Sequence, residues 1–272
     1  MQMENKVAVV TGAARGNGFA MAQRLAAEGA HVVLGDVRDE QLAEAAQVIR
    51  DAGGKAEAVR CDVSSPEDME NLIAAAERLG GPQAVVAQAG VQFSELVEDT
   101  TPEEWDRVMS VDAKGVFLAA RAAIPRMKKL GGGSIVTMSG TYAWFAEPYA
   151  GAHCAAKGAV YALTKAVALE VAPWGIRCNT IAPGAVDTPM YDEFLATSPD
   201  PQGDYEALAK KHALGRFARP EELAALTLFL CSDESVYITG ACFTIDGGLT
   251  AGFAAIDREK YEMGAPENGS KS

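Results

Sequence analysis

Thr11-Gly12-Ala13-Ala14-Arg15-Gly16-Asn17-Gly18 follows directly on the short apolar run Val7–Thr11 and opens an alanine-rich helical pattern. Glycines let a backbone turn tightly and approach a pyrophosphate, and a helix N-terminus offers unpaired N–H groups and a positive dipole end. A glycine-rich turn alone says little, but this one lies between a strand and a helix, the context such a phosphate cradle requires. The next strand, His31–Asp36, ends on a carboxylate 18 residues after Gly18. That carboxylate can accept hydrogen bonds from both ribose hydroxyls of an adenosine, and it repels a 2′-phosphate. The expected cofactor is therefore NAD rather than NADP. Arg15 and Arg38 could soften the preference, and Asp36 could instead cap the following helix.

Outward from this turn, short apolar runs alternate with helical patterns. Strands are expected at Val7–Thr11, His31–Asp36, Lys55–Arg60, Gln83–Ala87, Ser134–Met138, Arg177–Ile181 and Cys242–Ile245, all with the two-sided hydrophobicity of buried parallel strands. Helices are expected at about 17–29, 40–52, 67–79, 103–129, 154–172 and 220–231. Ser65-Pro66 and Thr101-Pro102 each put a hydroxyl cap before a proline at the first helical position. Repeated strand–helix units imply right-handed crossovers and an α/β fold with a single Rossmann-type, doubly wound parallel sheet over residues 1–252. Residues 188–219, with Pro189, Pro199 and Pro201, read as a lid inserted before the last helix. Residues 253–272 read as a C-terminal tail with a frayed polar end.

The 272 residues carry a formal charge of −13, which argues against nucleic acid or an anionic membrane as partner, since either would repel the average surface. Five cysteines without a C-x-x-C pair fit buried thiols in a reducing cytoplasm. No stretch reads as a signal peptide or a membrane span, so a soluble, cytoplasmic protein is expected. His31 and His212 have no second ligand at metal spacing, and no metal site is expected.

The glycine-rich turn, Cys61-Asp62-Val63, Ala89-Gly90, Gly133-Ser134-Ile135-Val136, Lys157-Gly158-Ala159-Val160, Arg177-Cys178-Asn179, Pro183-Gly184 and Asp246-Gly247-Gly248 occur in an order that resembles the short-chain dehydrogenase/reductase family from Lys6 to about Gly252. The resemblance implies that Asp62 and Val63 flank the adenine. It also implies that Ala89 and Gly90 pass the adenosine ribose and pyrophosphate, and that Pro183 to Thr188, with Gly184 and Val186 between, cover the nicotinamide. Relatives of this kind assemble through long helices like 103–129 and 154–172, so a homotetramer is expected.

The family's reaction centre is an Asn–Ser–Tyr–Lys tetrad, and only the lysine, Lys157, has its counterpart here. Asp112 stands at the asparagine position, Gly140 at the serine position and His153 at the tyrosine position. His153 and Lys157 lie four residues apart, on one helical face. An imidazole exchanges protons near neutral pH without the help a phenol needs, and a neighbouring ammonium favours its neutral form. His153 is therefore the expected acid/base, with Lys157 holding the ribose and Asp112 orienting water or the lysine. Tyr149 or Tyr142 could stand in for the absent phenol, and buried packing is expected for Cys154.

By the same resemblance Thr141–Tyr149 lines the substrate pocket. Tyr142, Trp144, Phe145 and Tyr149, with room left by Gly140 and closure by Met190, suit a hydrophobic cyclic or aromatic small molecule. The leading expectation is NAD(H)-linked oxidation or reduction of a hydroxyl or carbonyl. A redox-neutral lyase or isomerase with NAD retained, and a non-catalytic nucleotide-binding protein, are the alternatives.

Overall fold

A computed structural model describes residues 1–252. Seven strands form one parallel sheet in the order β3-β2-β1-β4-β5-β6-β7. They are β1 (Val7–Thr11), β2 (His31–Asp36), β3 (Lys55–Arg60), β4 (Ala84–Ala87), β5 (Gly133–Met138), β6 (Ile176–Pro183) and β7 (Cys242–Ile245). The chain builds outward from β1 to β3, returns to place β4 on the other side of β1, and then builds outward again. At that reversal the connections leave β1 and β4 toward opposite faces of the sheet, and a crevice opens at the carboxyl ends of the strands.

Helices cover both faces. One face carries α1 (Gly16–Ala27), α2 (Asp39–Asp51) and α9 (Pro220–Cys231), which bury Leu25, Ile49 and Leu228 against Leu34 and Ile181. The other carries α3 (Pro66–Arg78), α5 (Gly115–Leu130) and α6 (Gly151–Val171), which bury Leu72, Met127 and Val167 against Val9 and Ile135. Each such large side chain contributes roughly 1.5–3 kcal/mol of burial. Two layers on one sheet explain why β1, β4 and most of β2 and β5 are sealed.

Several expectations need correction. β3 and β7, the two outer strands, are not buried on both faces: Lys55 and Arg60 remain exposed in β3, and no residue of β7 is fully buried. The single helix expected at 103–129 is α4 (Pro102–Val108), a wide π-helical turn at Met109–Lys114, and then α5. The catalytic-helix candidate begins at Gly151 rather than 154, so His153 falls in its first turn. The segment at 188–219 holds two helices, α7 (Pro189–Leu195) and α8 (Pro201–Lys211). Cys154 is half-buried rather than sealed, and all five cysteines are free thiols. The expected tail at 253–272 lies outside the described residues.

Candidate active site

The crevice has a backbone-built half. Gly12 adopts φ +68°, and a Cβ there would come within 2.8 Å of Ala89 Cα, so the turn after β1 closes tightly on the loop after β4. Thr11 Oγ1 fastens that loop by accepting from the N–H groups of Gln88 (3.0 Å) and Ala89 (3.1 Å). At the end of β2, Asp36 is buried and braces the glycine-rich turn. Its carboxylate accepts from the N–H of Ala14 (3.1 Å) and of Arg38 (3.1 Å). No side chain caps the start of α2, so Asp36 has not taken the helix-cap role.

Gly12, Arg15, Gly16, Asn17, Gly18, Asp36, Ala89, Gly90 and Thr188 all line this cleft. Asp62 and Val63 do not: Asp62 accepts from the Ser64 hydroxyl (2.7 Å), and Val63 is packed against Gly115. Where the cleft meets the adjoining cavity, Asn17 Oδ1 and Gln88 Oε1 are buried acceptors without a protein partner. Buried carbonyl oxygens need donors, and the ribose hydroxyls of a dinucleotide would supply them. The chain's own groups therefore fit such a cofactor.

The other half is made of side chains. The π turn brings Asp112 inward to full burial, where its Oδ1 accepts from the Val91 N–H (2.8 Å). Its Oδ2 lies 3.1 Å from Lys157 Nζ and 3.6 Å from His153 Nδ1. The contact with lysine is a charge pairing without hydrogen-bond alignment, and the imidazole nitrogen also lacks a partner. Lys157 Nζ donates instead to the Met138 carbonyl (3.3 Å). Burial first, and Lys157 second, push the His153 imidazole from 6.5 down to about 4, against the opposing pull of Asp112. The positive end of α6 acts in the same direction. At neutral pH His153 is uncharged.

Ser139 is not available to a substrate. Its buried hydroxyl donates to the Lys157 carbonyl (3.0 Å) and joins the end of β5 to α6. Gly140 leaves room for no more than a small side chain beside Lys157, because a Cβ there would already be in ordinary contact with Lys157 Cγ at 3.6 Å.

An inner cavity of about 190 Å³ holds His153, Lys157, Asp112, Gly140, Tyr142, Phe145 and Met190, roofed by Pro183, Gly184, Val186 and Thr188. An outer chamber of about 520 Å³ adjoins it and contains Tyr149 and Phe194. The Tyr142 ring stands edge-on to His153, with centroids 5.5 Å apart. Its hydroxyl donates to Glu147 (2.9 Å), and burial, reinforced by Glu147, raises its pKa. Tyr149 is half exposed and sits in the loop before α6 at φ +67°. Trp144 lines neither space and packs on Tyr161 (5.8 Å).

Sequence reasoning gave no role to Gln88, Glu147 or Lys211. Lys211 Nζ donates to Glu147 (2.8 Å), which joins α8 to the loop before α6. A loop glutamate and a lysine at the end of α8, 64 residues apart, carry no sequence signal for such a pairing. His212 lines the inner cavity, but both nitrogens are taken: Nδ1–H donates to the Leu208 carbonyl (3.0 Å) and Nε2 accepts from the Ala185 N–H (3.2 Å). Among the described residues no group of three metal-ligating side chains converges, and no helix is long and apolar enough to cross a membrane.

The chain is similar to proteins of this architecture across nearly its whole described length. A family profile described as enoyl-(acyl carrier protein) reductase matches residues 12–250. Cyclopentanol dehydrogenase from a Comamonas species is 39% identical over 254 residues, covering 92% of this chain and 99% of that protein. A 3-alpha-(or 20-beta)-hydroxysteroid dehydrogenase from Mycobacterium tuberculosis is 40% identical over 259 residues, covering 95% and 94%. The crystal structure of a short-chain type dehydrogenase/reductase from Mycobacterium marinum superimposes with a TM-score of 0.86 at 35% identity, covering 92% and 98%.

Proposed function

The chain belongs to the short-chain dehydrogenase/reductase family of nicotinamide-dependent oxidoreductases, and on that premise we propose that it oxidises a ring alcohol with NAD, using His153 as the base. The observation that carries this reading is the cluster of Asp112, His153 and Lys157 at the floor of a largely apolar cavity that opens onto the nucleotide cleft. Asp36 at the adenosine end supports the unphosphorylated dinucleotide, because its carboxylate can accept from ribose hydroxyls and opposes a 2′-phosphate.

A bound nicotinamide would supply the hydride acceptor. The chain's own residues do the rest. Neutral His153 accepts the hydroxyl proton of the substrate: at neutral pH it already stands in the unprotonated form that oxidation needs, and because burial makes it a weak base it depends on Asp112 to hold the imidazolium that results. Asp112 faces Nδ1 and stabilises the positive charge as it forms; closing the 3.6 Å gap by under an ångström would make the hydrogen bond. Lys157, held by Asp112 and the Met138 carbonyl, would bind the nicotinamide ribose. On this reading the site departs from the family's tetrad at three positions, with Asp112, Gly140 and His153 in place of asparagine, serine and tyrosine. Neither Tyr142, tied to Glu147, nor exposed Tyr149 is placed as a substitute phenol.

The aromatic and aliphatic lining from Tyr142, Phe145, Met190 and Tyr191 supports a hydrophobic cyclic substrate. The names of the two dehydrogenase relatives, on a cyclopentanol and on hydroxysteroids, point the same way. Helices α7 and α8 act as a lid over this space. A homotetramer is the proposed assembly, and exposed Phe117 on α5 and Leu169 on α6 support it.

The test is to follow absorbance of the reduced nicotinamide while offering cyclopentanol, cyclohexanol and a hydroxysteroid. Net reduction of NAD that disappears in His153→Ala is the expected result. Product formed without net NAD reduction would mean redox-neutral chemistry, and tight nucleotide binding without product would leave only a binding protein.

A further inference from the structure

Four charges meet at the adenosine end of the cleft. Arg15 and Arg38 line it with Asp36, and Arg38 Nη1 lies 3.4 Å from Asp36 Oδ1. Glu193, from α7, completes the group by gripping Arg15 with both carboxylate oxygens; the Arg15 Nη2–Glu193 Oε2 bond is 2.8 Å. Arg15 also feels the charge of Asp36, and Glu193 that of Arg38, so the four behave as one cluster. Two cations and two carboxylates sum to zero.

Asp36 explains only part of the discrimination expected here. Its repulsion of a 2′-phosphate is offset by two guanidiniums in the same cleft, and guanidiniums are the side chains best shaped to bind phosphate. Without a further carboxylate the cluster would be net cationic and would welcome the extra dianion. Glu193 supplies that carboxylate, and its two-point grip occupies the donor edge that Arg15 would otherwise turn toward a phosphate.

We propose that Glu193 is a selectivity residue for the cofactor: by holding Arg15 it keeps the adenosine end of the cleft neutral and denies a 2′-phosphate its cationic partner. The inference rests on the dinucleotide-binding reading above and adds a determinant from outside the glycine-rich turn and β2. It makes the choice of nucleotide depend on where α7 sits, because the carboxylate arrives on that helix.

The test measures dissociation constants of NAD and NADP by calorimetry, without substrate, for the full chain and for Glu193→Gln, Arg15→Gln and the double variant. Glu193→Gln is expected to tighten NADP by about tenfold, the size of one partly screened charge, and to change NAD by less than about twofold. Arg15→Gln in the Glu193→Gln background should abolish that gain. An unchanged NADP/NAD ratio in Glu193→Gln overturns the proposal, as does equal weakening of both nucleotides, which would make the pair a lid latch only. The unmodified chain binding neither nucleotide would instead remove the dinucleotide reading itself, and the proposal with it. Glu193 is largely exposed, so its replacement leaves the core untouched.

Discussion

The two halves of the crevice are built from different materials. The nucleotide cradle is mostly backbone: a glycine turn, a helix start and the N–H groups that Asp36 and Thr11 fasten. The reaction cluster is almost wholly side chain, assembled from a π turn, the end of β5 and the first turn of α6. Backbone geometry tolerates few residues at a given position, which is why the cradle keeps the family's pattern. A side-chain cluster can be exchanged wherever the replacements still balance charge and move a proton. In the proposed site an aspartate and an imidazole stand in for parts of a phenol-based relay while the lysine stays.

The sharpest way to break this contrast is to damage each half separately. Gly12→Val forces a branched side chain into φ +68° and against Ala89 Cα, so nucleotide binding should be lost, with calorimetry as the check. Detectable NAD binding by that variant would mean the cradle is not where the dinucleotide sits. His153→Ala should lower turnover by about 10²–10⁴-fold, the usual contribution of a positioned acid or base, while the NAD dissociation constant changes little.

The pH response sharpens the comparison further. With its imidazole pushed down to about 4, His153 remains a competent base through the neutral range, and turnover should fall only as pH approaches that value. Stability follows the same linkage. The unfolded chain binds a proton near 6.5 that the folded one refuses until about 4, so folding stability should rise with pH between those values. The full effect is about 3 kcal/mol, and denaturant titrations of His153→Gln at pH 4.5 and 7 should show that share missing. Lys157→Met removes a charge that lowers the imidazole pKa, so the acid limb of the rate profile should move upward. The smallest effect belongs to Tyr142→Phe. Its hydroxyl is committed to Glu147, and turnover should change by less than about threefold. A large loss would return the proton to a phenol.

The sheet and the cradle were legible in the sequence because apolar runs, glycine turns and their order are local signals. Strand limits at β1, β2, β3 and β7 are read directly from the chain. Two helices in the 188–219 segment went unread although the needed signal was present. Thr188-Pro189 and Asp200-Pro201 repeat the cap-and-proline pattern of Ser65-Pro66 and Thr101-Pro102, and both caps accept the expected N–H, from Tyr191 (3.4 Å) and Gly203 (3.1 Å). The prolines were weighed as loop formers when they were helix starters. The π turn had no such signal. The helix pattern of the sequence runs through it uninterrupted, and nothing local marks the wider turn.

The candidate reaction cluster could be named residue by residue from the sequence, but its arrangement could not be foreseen. His153, Lys157 and Asp112 stand out by position, yet the proximity of Asp112 to both depends on the π turn and on α6 starting at Gly151. Trp144 shows the opposite failure. An aromatic in a pocket-lining stretch was expected to line the pocket, but the short helical turn at Thr141–Ala143 sends it outward onto Tyr161.

The outermost strand on the β3 side presents unpaired backbone groups to water along its free margin, a template on which another chain could add itself. Lys55 and Arg60 stand exposed at its two ends, and Glu57 lies between them. Stacking two copies margin to margin would force those ammonium and guanidinium groups together out of solvent. Cations at both ends of that margin thus oppose the addition of a further strand on the β3 side.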